Sequence, residues 1–196
     1  MCQAVGKLPT AKYEANGGPG VVEVVDTIRS VSNHADGDVD EFIDAVLYNW
    51  VTANTDAHAK NYSLLLAGRA VRLAPLYDLG SALPYVGMTP TLRAPGALRG
   101  ERLKLAMSVD GTYLLAEVRR RDWEALFARL DLDPQHYIER AEEIIARIES
   151  ELPAVVEPVA NAFASSLPDS FRQSITSAIS LRRAVLARRP ARGRRS

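Results

Sequence analysis

The chain has 196 residues, of which 47% are hydrophobic and 24% charged, an ordinary composition for a folded protein with one core. No apolar run approaches the ~20 residues that span a bilayer, and the N-terminus lacks the basic and apolar parts of a signal peptide, so we expect no membrane association. The single cysteine, Cys2, excludes an internal disulfide and a cysteine-based zinc site, which makes the cytoplasm the expected compartment.

The formal net charge is zero, but the charges are unevenly distributed along the chain. Five arginines and no acid lie between Arg188 and Ser196, so the chain before them is mildly acidic. We therefore expect a folded unit at residues 1–186 and a disordered basic tail at residues 187–196. The tail could alternatively contact nucleic acid or an acidic partner.

The first 20 residues predict a leading segment rather than the start of a domain. The GGPG sequence at residues 17–20 indicates a turn and not a phosphate-binding loop, because the G-x-G-x-x-G spacing is missing and no strand precedes it. Residues Val21–Ser30 are predicted as a helix, and residues 32–38 as a loop.

The clearest early helix is predicted from Asp38 to Thr52. Asp38 and Glu41 have the spacing of a capping box, which satisfies free backbone N–H groups at a helix start. The residues expected to form its apolar surface are Phe42, Ala45, Val46, Leu47, Asn49 and Trp50. This helix leads directly into a polar loop, and a rigid buried element holds the side chains of such a loop in place.

Short elements follow the polar loop. Two strands, Tyr62–Leu66 and Ala70–Ala74, are predicted on either side of Gly68. The segment Leu83–Gly100, rich in proline and glycine, is predicted to be irregular, and long loops beside a site often act as lids or substrate platforms. Lys104–Val109 is predicted as a further strand, with a turn at the sequence DGT after it.

The remaining chain predicts three helices. The first covers Arg121–Leu130, and the second starts at Asp133–Pro134 and ends near Leu152, because Pro153 and Pro158 interrupt the next apolar segment. The last covers Pro168–Leu186. The predicted fold class is therefore mainly α, within the α+β group, with one small β-hairpin at its centre.

Three side chains around the predicted hairpin have the pattern of a phosphoryl-transfer site. Asp56 and Asn61 are five residues apart, and Asp78 follows 17 residues after Asn61. In ATP-dependent phosphoryl transfer one Asp accepts the proton of the attacking hydroxyl, while an Asn five residues later and a second Asp hold magnesium through oxygen atoms. A hairpin returns the chain to its starting point, so we expect Asp78 to lie beside Asn61.

Other residues near this pattern allow more than one interpretation. His58 could bind a metal or carry a proton, but a structural histidine that shapes the loop is commoner. Lys60 could neutralise a transferring phosphate or be a solvated surface lysine. Tyr62 and Tyr77 are predicted to be core aromatics. Asp56 taken alone could be a loop or capping residue. The presence of Asn61 and Asp78 at the expected spacings favours a catalytic role for it.

The sequences TDAHAKNYSLL and LAPLYDLGSALPY resemble the C-terminal lobe of the HipA family, serine/threonine protein kinases that act as toxins in bacterial toxin–antitoxin pairs. The leading segment and the stretch LKLAMSVDGTY followed by RRRDW extend this resemblance over most of residues 1–150. It implies a protein-kinase-like C-lobe whose small hairpin carries the active-site loop, at residues 1–186. Asp56 would be the catalytic Asp, with His58 and Lys60 beside it, and Asn61 and Asp78 would be the magnesium and cofactor ligands.

The resemblance also implies cofactors and partners. ATP and Mg²⁺ would be the cofactors, and a seryl or threonyl hydroxyl of a protein, such as an aminoacyl-tRNA synthetase, would be the substrate. A HipB-like antitoxin is the expected partner, with DNA contacted only indirectly or through the basic tail.

A HipA-like kinase also needs an N-terminal lobe with a glycine-rich strand, a phosphate-binding lysine and an adenine-binding hinge. None is visible in this sequence, and only Lys7 and Lys12 precede the first predicted helix. We therefore expect a truncated kinase, or one whose N-lobe is a separate chain, that is not competent by itself.

Two alternatives from other classes remain open. The chain could be a non-catalytic kinase-lobe remnant that binds an antitoxin-like partner, in which case Asp56→Ala and Asp78→Ala leave partner binding unchanged. It could also be a metal-dependent phosphohydrolase in which Asp56, His58 and Asp78 bind metal. In that case mutation of His58 would abolish metal binding rather than loosen the loop.

Overall fold

The computed structural model describes residues 1–86, 102–162 and 167–188. Five α-helices are present in these residues: α1 (Val21–Val31), α2 (Ala35–Val51), α3 (Arg120–Arg129), α4 (Pro134–Ala162) and α5 (Leu167–Ala187). Four strands form two separate antiparallel hairpins: β1 (Leu64–Ala67) with β2 (Ala70–Leu73), and β3 (Lys104–Val109) with β4 (Thr112–Leu114). The predicted mainly α character is confirmed, although the described residues contain two hairpins rather than one.

Helix α1 forms where a helix rather than a strand was predicted. Its buried residues, Val21, Val24, Val25 and Ile28, recur at the spacing of one helical face. The GGPG turn precedes it, and the Glu23 carboxylate accepts a hydrogen bond from the Gly20 N–H at 3.3 Å. Helical periodicity therefore outweighs the strand propensity of the β-branched residues.

Helix α2 begins at Ala35, three residues before the predicted start, so residues 35–38 are helical and the Asp38–Glu41 capping box is wrong. Asp38 lies inside the helix with no solvent exposure. Its carboxylate accepts hydrogen bonds from the Ser32 hydroxyl at 2.6 Å, the Arg72 Nε at 2.9 Å and the Leu73 N–H at 2.7 Å. Asp38 thus fastens the β1–β2 hairpin to α2 instead of capping the helix.

The predicted apolar surface of α2 is confirmed, because all six residues named for it are buried. From α2 a row of aromatic rings continues into α3 and α4. Trp50 meets Trp123 edge-on with 5.4 Å between ring centroids, Trp123 stacks on Phe127 at 5.6 Å, and Phe127 meets Tyr137 at 5.1 Å. Such pairs add specific geometry to the burial of large apolar surfaces, so α2 sits rigidly at the centre of the molecule.

The two hairpins have tight turns that match their sequences. β1 pairs Leu64 with Leu73 and Ala67 with Ala70, leaving Gly68 and Arg69 as the turn, and Gly68 has a φ of 62°. The predicted strand Lys104–Val109 is confirmed as β3, and Asp110 and Gly111 form its turn with φ values of 46° and 83°. Positive φ at both central residues is typical of the Asp-Gly turn that joins antiparallel strands.

Helix α4 continues through Pro153 and Pro158 to Ala162, so its predicted end near Leu152 is wrong. Pro153 is exposed, whereas Ile145 and Val156 are buried and Ile148 packs on the core. Burial of this apolar stripe against α2, α3 and α5 outweighs the backbone hydrogen bonds that the prolines remove.

Helices α3 and α5 lie within one residue of their predicted bounds. The irregular segment predicted over residues 83–100 begins with a short 3₁₀ turn at Leu83–Tyr85, and the part from residue 87 lies outside the described residues. The same is true of the predicted tail from residue 189 onward. Within the described helices, none has the length and apolar character needed to cross a membrane.

Candidate active site

Helix α2 ends in a backbone turn that sets the direction of the polar loop at residues 54–61. Ala53 has a φ of 54°, in the left-handed region, and its N–H donates to the Trp50 carbonyl at 3.3 Å. The Asn54 N–H donates to the Asn49 carbonyl at 2.8 Å. These two bonds satisfy carbonyls at the helix end in the manner of a Schellman motif. The turn therefore places residues 54–61 directly beside the C-terminal end of α2.

Asp56 is an exposed residue of this loop, with a side chain 59% accessible to solvent. One of its carboxylate oxygens, Oδ1, accepts a hydrogen bond from the Tyr13 hydroxyl. The same oxygen lies 3.7 Å from the Lys12 Nζ and 3.7 Å from the His58 Nε2. Because these contacts all involve Oδ1, the other carboxylate oxygen of Asp56 could accept a proton from a bound hydroxyl.

His58 is buried below Asp56. Its ring meets the Tyr13 ring edge-on at 5.1 Å between centroids, and its Nδ1 is buried without a hydrogen-bond partner. Burial lowers the pKa of His58, and the charges of Lys12 and Lys60 lower it further against the opposing effect of Asp56. A neutral, packed imidazole fits a residue that shapes the loop.

Asn61 and Asp78 meet across the hairpin, as their spacing predicts. The Asn61 Nδ2 donates a hydrogen bond to the Asp78 Oδ2, and the Asn61 Oδ1 is buried without a hydrogen-bond partner. Asp78 is exposed and has a φ of 59°, a left-handed backbone conformation that is uncommon for residues other than glycine. Two of the predicted ligands thus converge on one point, and one oxygen there lacks a partner.

Lys60 and Tyr77 both lie at the surface, and only for Tyr77 does this differ from the prediction. The Lys60 side chain is exposed, and no hydrogen bond or ion pair to it is present among the described residues. Tyr77 is 45% exposed, so its prediction as a core aromatic is wrong. Its hydroxyl donates to the Lys60 carbonyl at 2.7 Å and lies 2.8 Å from the Ser63 hydroxyl, which ties the end of the loop to the residue before Asp78. Tyr62 is buried, as predicted.

The leading segment supplies site residues that sequence reasoning did not assign. Lys12 and Tyr13 both contact Asp56, the Lys12 carbonyl accepts the Ala59 N–H at 3.3 Å, and the Lys12 Nζ lies 4.7 Å from the centre of the Tyr13 ring. Glu14 accepts hydrogen bonds from the backbone N–H and the hydroxyl of Ser108. Their only sequence signal is the short polar run KYE, which lies 43 residues before the loop it contacts.

The donor set fits magnesium through oxygen atoms. The unpartnered Asn61 Oδ1 and the Asp78 carboxylate are oxygen ligands of the kind that Mg²⁺ uses together with substrate phosphates and water. By contrast, residues 1–86, 102–162 and 167–188 contain no group of three His, Cys, Asp or Glu side chains that could hold a metal by themselves. The site suits a metal that arrives with a phosphate ligand.

Comparison with known proteins identifies the family. The HipA-like C-terminal domain family matches residues 1–154, and the chain belongs to this family. Over 95 residues it is 33% identical to the serine/threonine-protein kinase toxin HipA of Shewanella oneidensis, covering 43% of this chain. Two putative kinases of Sinorhizobium fredii are also similar: Y4mE at 39% identity over 60% of this chain, and Y4dM at 26% identity over 75%.

The fold has a solved counterpart in HipA of Shewanella oneidensis, in a complex of HipA, HipB and operator DNA. The TM-score is 0.78 at 20% sequence identity, covering 94% of this chain and 43% of the matched one. The matches span 27%, 32% and 22% of the lengths of Y4mE, Y4dM and the HipA toxin. The chain therefore corresponds to a part of these relatives.

Proposed function

We propose that residues 1–186 are the C-terminal catalytic lobe of a HipA-like serine/threonine protein kinase, which transfers the γ-phosphate of ATP to a protein hydroxyl. The observation that carries this proposal is the convergence of Asn61 and Asp78 with one buried amide oxygen lacking a partner. Asp56, exposed and five residues before Asn61, completes the arrangement that phosphoryl transfer requires.

Each residue has a role that follows from its surroundings. Asp56 orients the attacking hydroxyl and accepts its proton with the carboxylate oxygen that Tyr13 leaves free. Asn61 and Asp78 would hold magnesium through their oxygens. His58 supports the loop, Lys12 adds positive charge beside Asp56, and the charges of Lys12 and Lys60 both act on His58. Bound magnesium and ATP would supply the transferable phosphoryl group and the charge that stabilises its transfer.

The two alternatives have less support. A metal-dependent phosphohydrolase would need Asp56, His58 and Asp78 around one metal, but the part of the chain that the structure describes has no group of three His, Cys, Asp or Glu side chains that could hold a metal ion. No feature of the described residues favours a purely non-catalytic remnant over a kinase lobe.

The partners form part of the proposal. Because the matches span roughly a fifth to a third of the curated relatives, we propose that transfer requires an ATP-binding lobe from outside these residues, on the same polypeptide or a separate chain. A protein substrate and a HipB-like antitoxin are proposed from the similarity to the HipA toxin of Shewanella oneidensis, since HipA of that organism was solved with HipB.

Calorimetric titration of the purified chain with ATP, with and without Mg²⁺, tests the proposal. We expect magnesium-dependent binding that Asp78→Asn weakens by about tenfold or more, because the substitution removes a charged ligand while keeping the size of the side chain. Asp36→Asn, at an exposed position of α2, is the matched control and should bind as the unmodified chain does. Binding that does not depend on magnesium, or an Asp78→Asn variant with unchanged affinity, would overturn this assignment. No binding at all would mean that the nucleotide is held mainly by the lobe outside these residues.

A further inference from the structure

We infer that Asn54 is the positioning residue that holds Asp56 and Asp78 in one rigid frame; this inference rests on the proposed function and extends it. Asn54 is 6% exposed and lies two residues before Asp56 and 24 before Asp78. Its side chain is the only one among the described residues with hydrogen bonds to the backbones of both. It acts through the two carboxylate-bearing residues whose backbones it holds.

The amide of Asn54 is fully used. Its Oδ1 accepts the Asp56 N–H at 3.2 Å, and its Nδ2 donates to the Asp78 carbonyl at 3.1 Å and to the Asn49 Oδ1 at 3.0 Å. A carboxylate could not donate, and an apolar side chain could do neither, so an amide is the side chain that satisfies all three partners. Loss of this amide would leave the buried Asn49 Oδ1 and two partly buried backbone groups without these partners, and an unpaired buried polar group costs more than the bond itself.

A second buried amide holds Asn54 in this orientation. The Asn49 Nδ2 donates to the Tyr62 hydroxyl at 2.9 Å, which leaves the Asn49 Oδ1 facing the Asn54 Nδ2. Asn49, Asn54 and Tyr62 are all buried, and the Tyr62 ring is held edge-on against Phe42 at 4.8 Å. The network therefore runs from the core of α2 to both parts of the site.

The backbone conformation of Asp78 explains why this residue needs hydrogen bonds that fix its position. Its φ of 59° places a non-glycine residue in the left-handed region, where the Cβ atom crowds the following carbonyl oxygen. Unfavourable backbone conformations persist only where the surrounding structure fixes them. The bond from Asn54 to the Asp78 carbonyl fixes the residue from the backbone side, and Asn61 meets its carboxylate on the other.

Comparison of Asn54→Ala with Tyr62→Phe separates positioning from general stability. Both variants damage the same buried network and should lower the free energy of unfolding in urea. Only Asn54→Ala removes the bonds to Asp56 and Asp78. We expect Asn54→Ala to raise the dissociation constant for magnesium–ATP about 10- to 100-fold, the effect typical of losing a group that orients metal ligands. The dissociation constant of Tyr62→Phe should stay within about twofold of that of the unmodified chain. Asn16→Ala, an exposed position of the leading segment, is the neutral control.

NMR measurements provide a readout that needs no ligand. In Asn54→Ala the Asp56 amide should lose hydrogen-exchange protection beyond the global loss of stability, and the Asp78 carbonyl ¹³C shift should change. Tyr62→Phe should preserve both signals. If Asn54→Ala does not fold, Asn54→Ser, which offers one hydroxyl on a shorter side chain, replaces it with the same expected directions.

The outcomes distinguish this inference from the proposed function. If the unmodified chain does not bind magnesium–ATP without the outside lobe, the NMR signals decide whether Asn54 links the two segments. If the chain binds and Asp78→Asn binds equally well, the proposed function is overturned while the NMR signals still test the role of Asn54. Unchanged NMR signals in Asn54→Ala, or unchanged affinity in a chain that binds, would overturn the inference. Equal losses of affinity in Asn54→Ala and Tyr62→Phe would also overturn it, because they would indicate a merely structural role.

Discussion

Tyr13 donates its hydroxyl hydrogen bond to Asp56, a residue 43 positions later in the chain. The ring of Tyr13 packs against His58 at the same time, and Lys12 lies within 3.7 Å of the same carboxylate oxygen. The leading segment therefore forms one wall of the candidate site and fixes one side of its exposed carboxylate.

The bond between Tyr13 and Asp56 should appear as an interaction energy. In a double-mutant cycle of Tyr13→Phe and Asp56→Ala, followed by urea unfolding, we expect a coupling of about 1 kcal/mol, because a partly exposed hydrogen bond to a charged group is weakened by solvent. Tyr85→Phe, in which the tyrosine is 57% exposed, serves as the control partner and should be additive with Asp56→Ala. Additivity of Tyr13→Phe with Asp56→Ala would contradict the contact.

His58 should be neutral in the folded protein at neutral pH, since its burial lowers its pKa from the ordinary 6.5. The unfolded chain then binds a proton more readily than the folded one. The contribution of His58 to stability is therefore complete above pH 6.5 and is lost as the pH falls through the folded pKa. Urea unfolding between pH 7 and about 5 should show a decline that is shallower in His58→Gln and unchanged in the exposed control His136→Gln. An unchanged slope in His58→Gln would contradict this assignment.

Asp38 should be a major contributor to stability. Burial disfavours its charged form, but the hydrogen bonds from Ser32, Leu73 and Arg72 outweigh this effect and lower its pKa from 3.8. Its contribution is therefore present above pH 3.8 and lost as the pH falls through the lower folded value. At neutral pH, Asp38→Ala should cost roughly 3 kcal/mol in urea unfolding, because it leaves buried donors unpaired. Asp36→Ala, at an exposed position, should cost far less free energy of unfolding. Comparable losses in the two variants would contradict the role of Asp38 in holding the β1–β2 hairpin to α2.

Pro153 should destabilise α4, since it lacks the N–H that an α-helix uses and lies in the interior of a continuous helix. Pro153→Ala should raise the free energy of unfolding by about 1 to 3 kcal/mol, which corresponds to an increase in Tm of at least about 2 °C for a chain of this size. The neighbouring Ala154→Gly should lower stability by about 1 kcal/mol. A Tm that falls in Pro153→Ala would mean that α4 ends before the proline in solution.

The elements that periodicity could predict were predicted well. Helices α1, α3 and α5 and strand β3 follow from apolar spacing in their own sequences, and the pairing of Asn61 with Asp78 follows from the return of the β1–β2 hairpin. The roles of Asp56, His58, Lys60, Asn61 and Asp78 stay predictions until they are measured.

Features that depend on distant contacts were not predictable. The start of α2 was misplaced because Asp38 has the local pattern of a cap but finds its partners in β2, 34 and 35 residues away. Helix α4 continues past Pro153 because packing against neighbouring helices outweighs a local helix breaker. Tyr13 and Asn54 carry no local mark of function, and only the folded chain brings Tyr13 to Asp56 and Asn54 to Asp78.

Glu14 connects the candidate site to a second, remote part of the molecule. Its carboxylate is bonded to Ser108 in β3, while the adjacent Tyr13 is bonded to Asp56. Two neighbouring residues therefore bridge the β3–β4 hairpin and the loop of the candidate catalytic base. A displacement of β3 would be transmitted along one peptide unit to the orientation of Asp56. Substitutions at Ser108 should consequently behave like substitutions in the site itself.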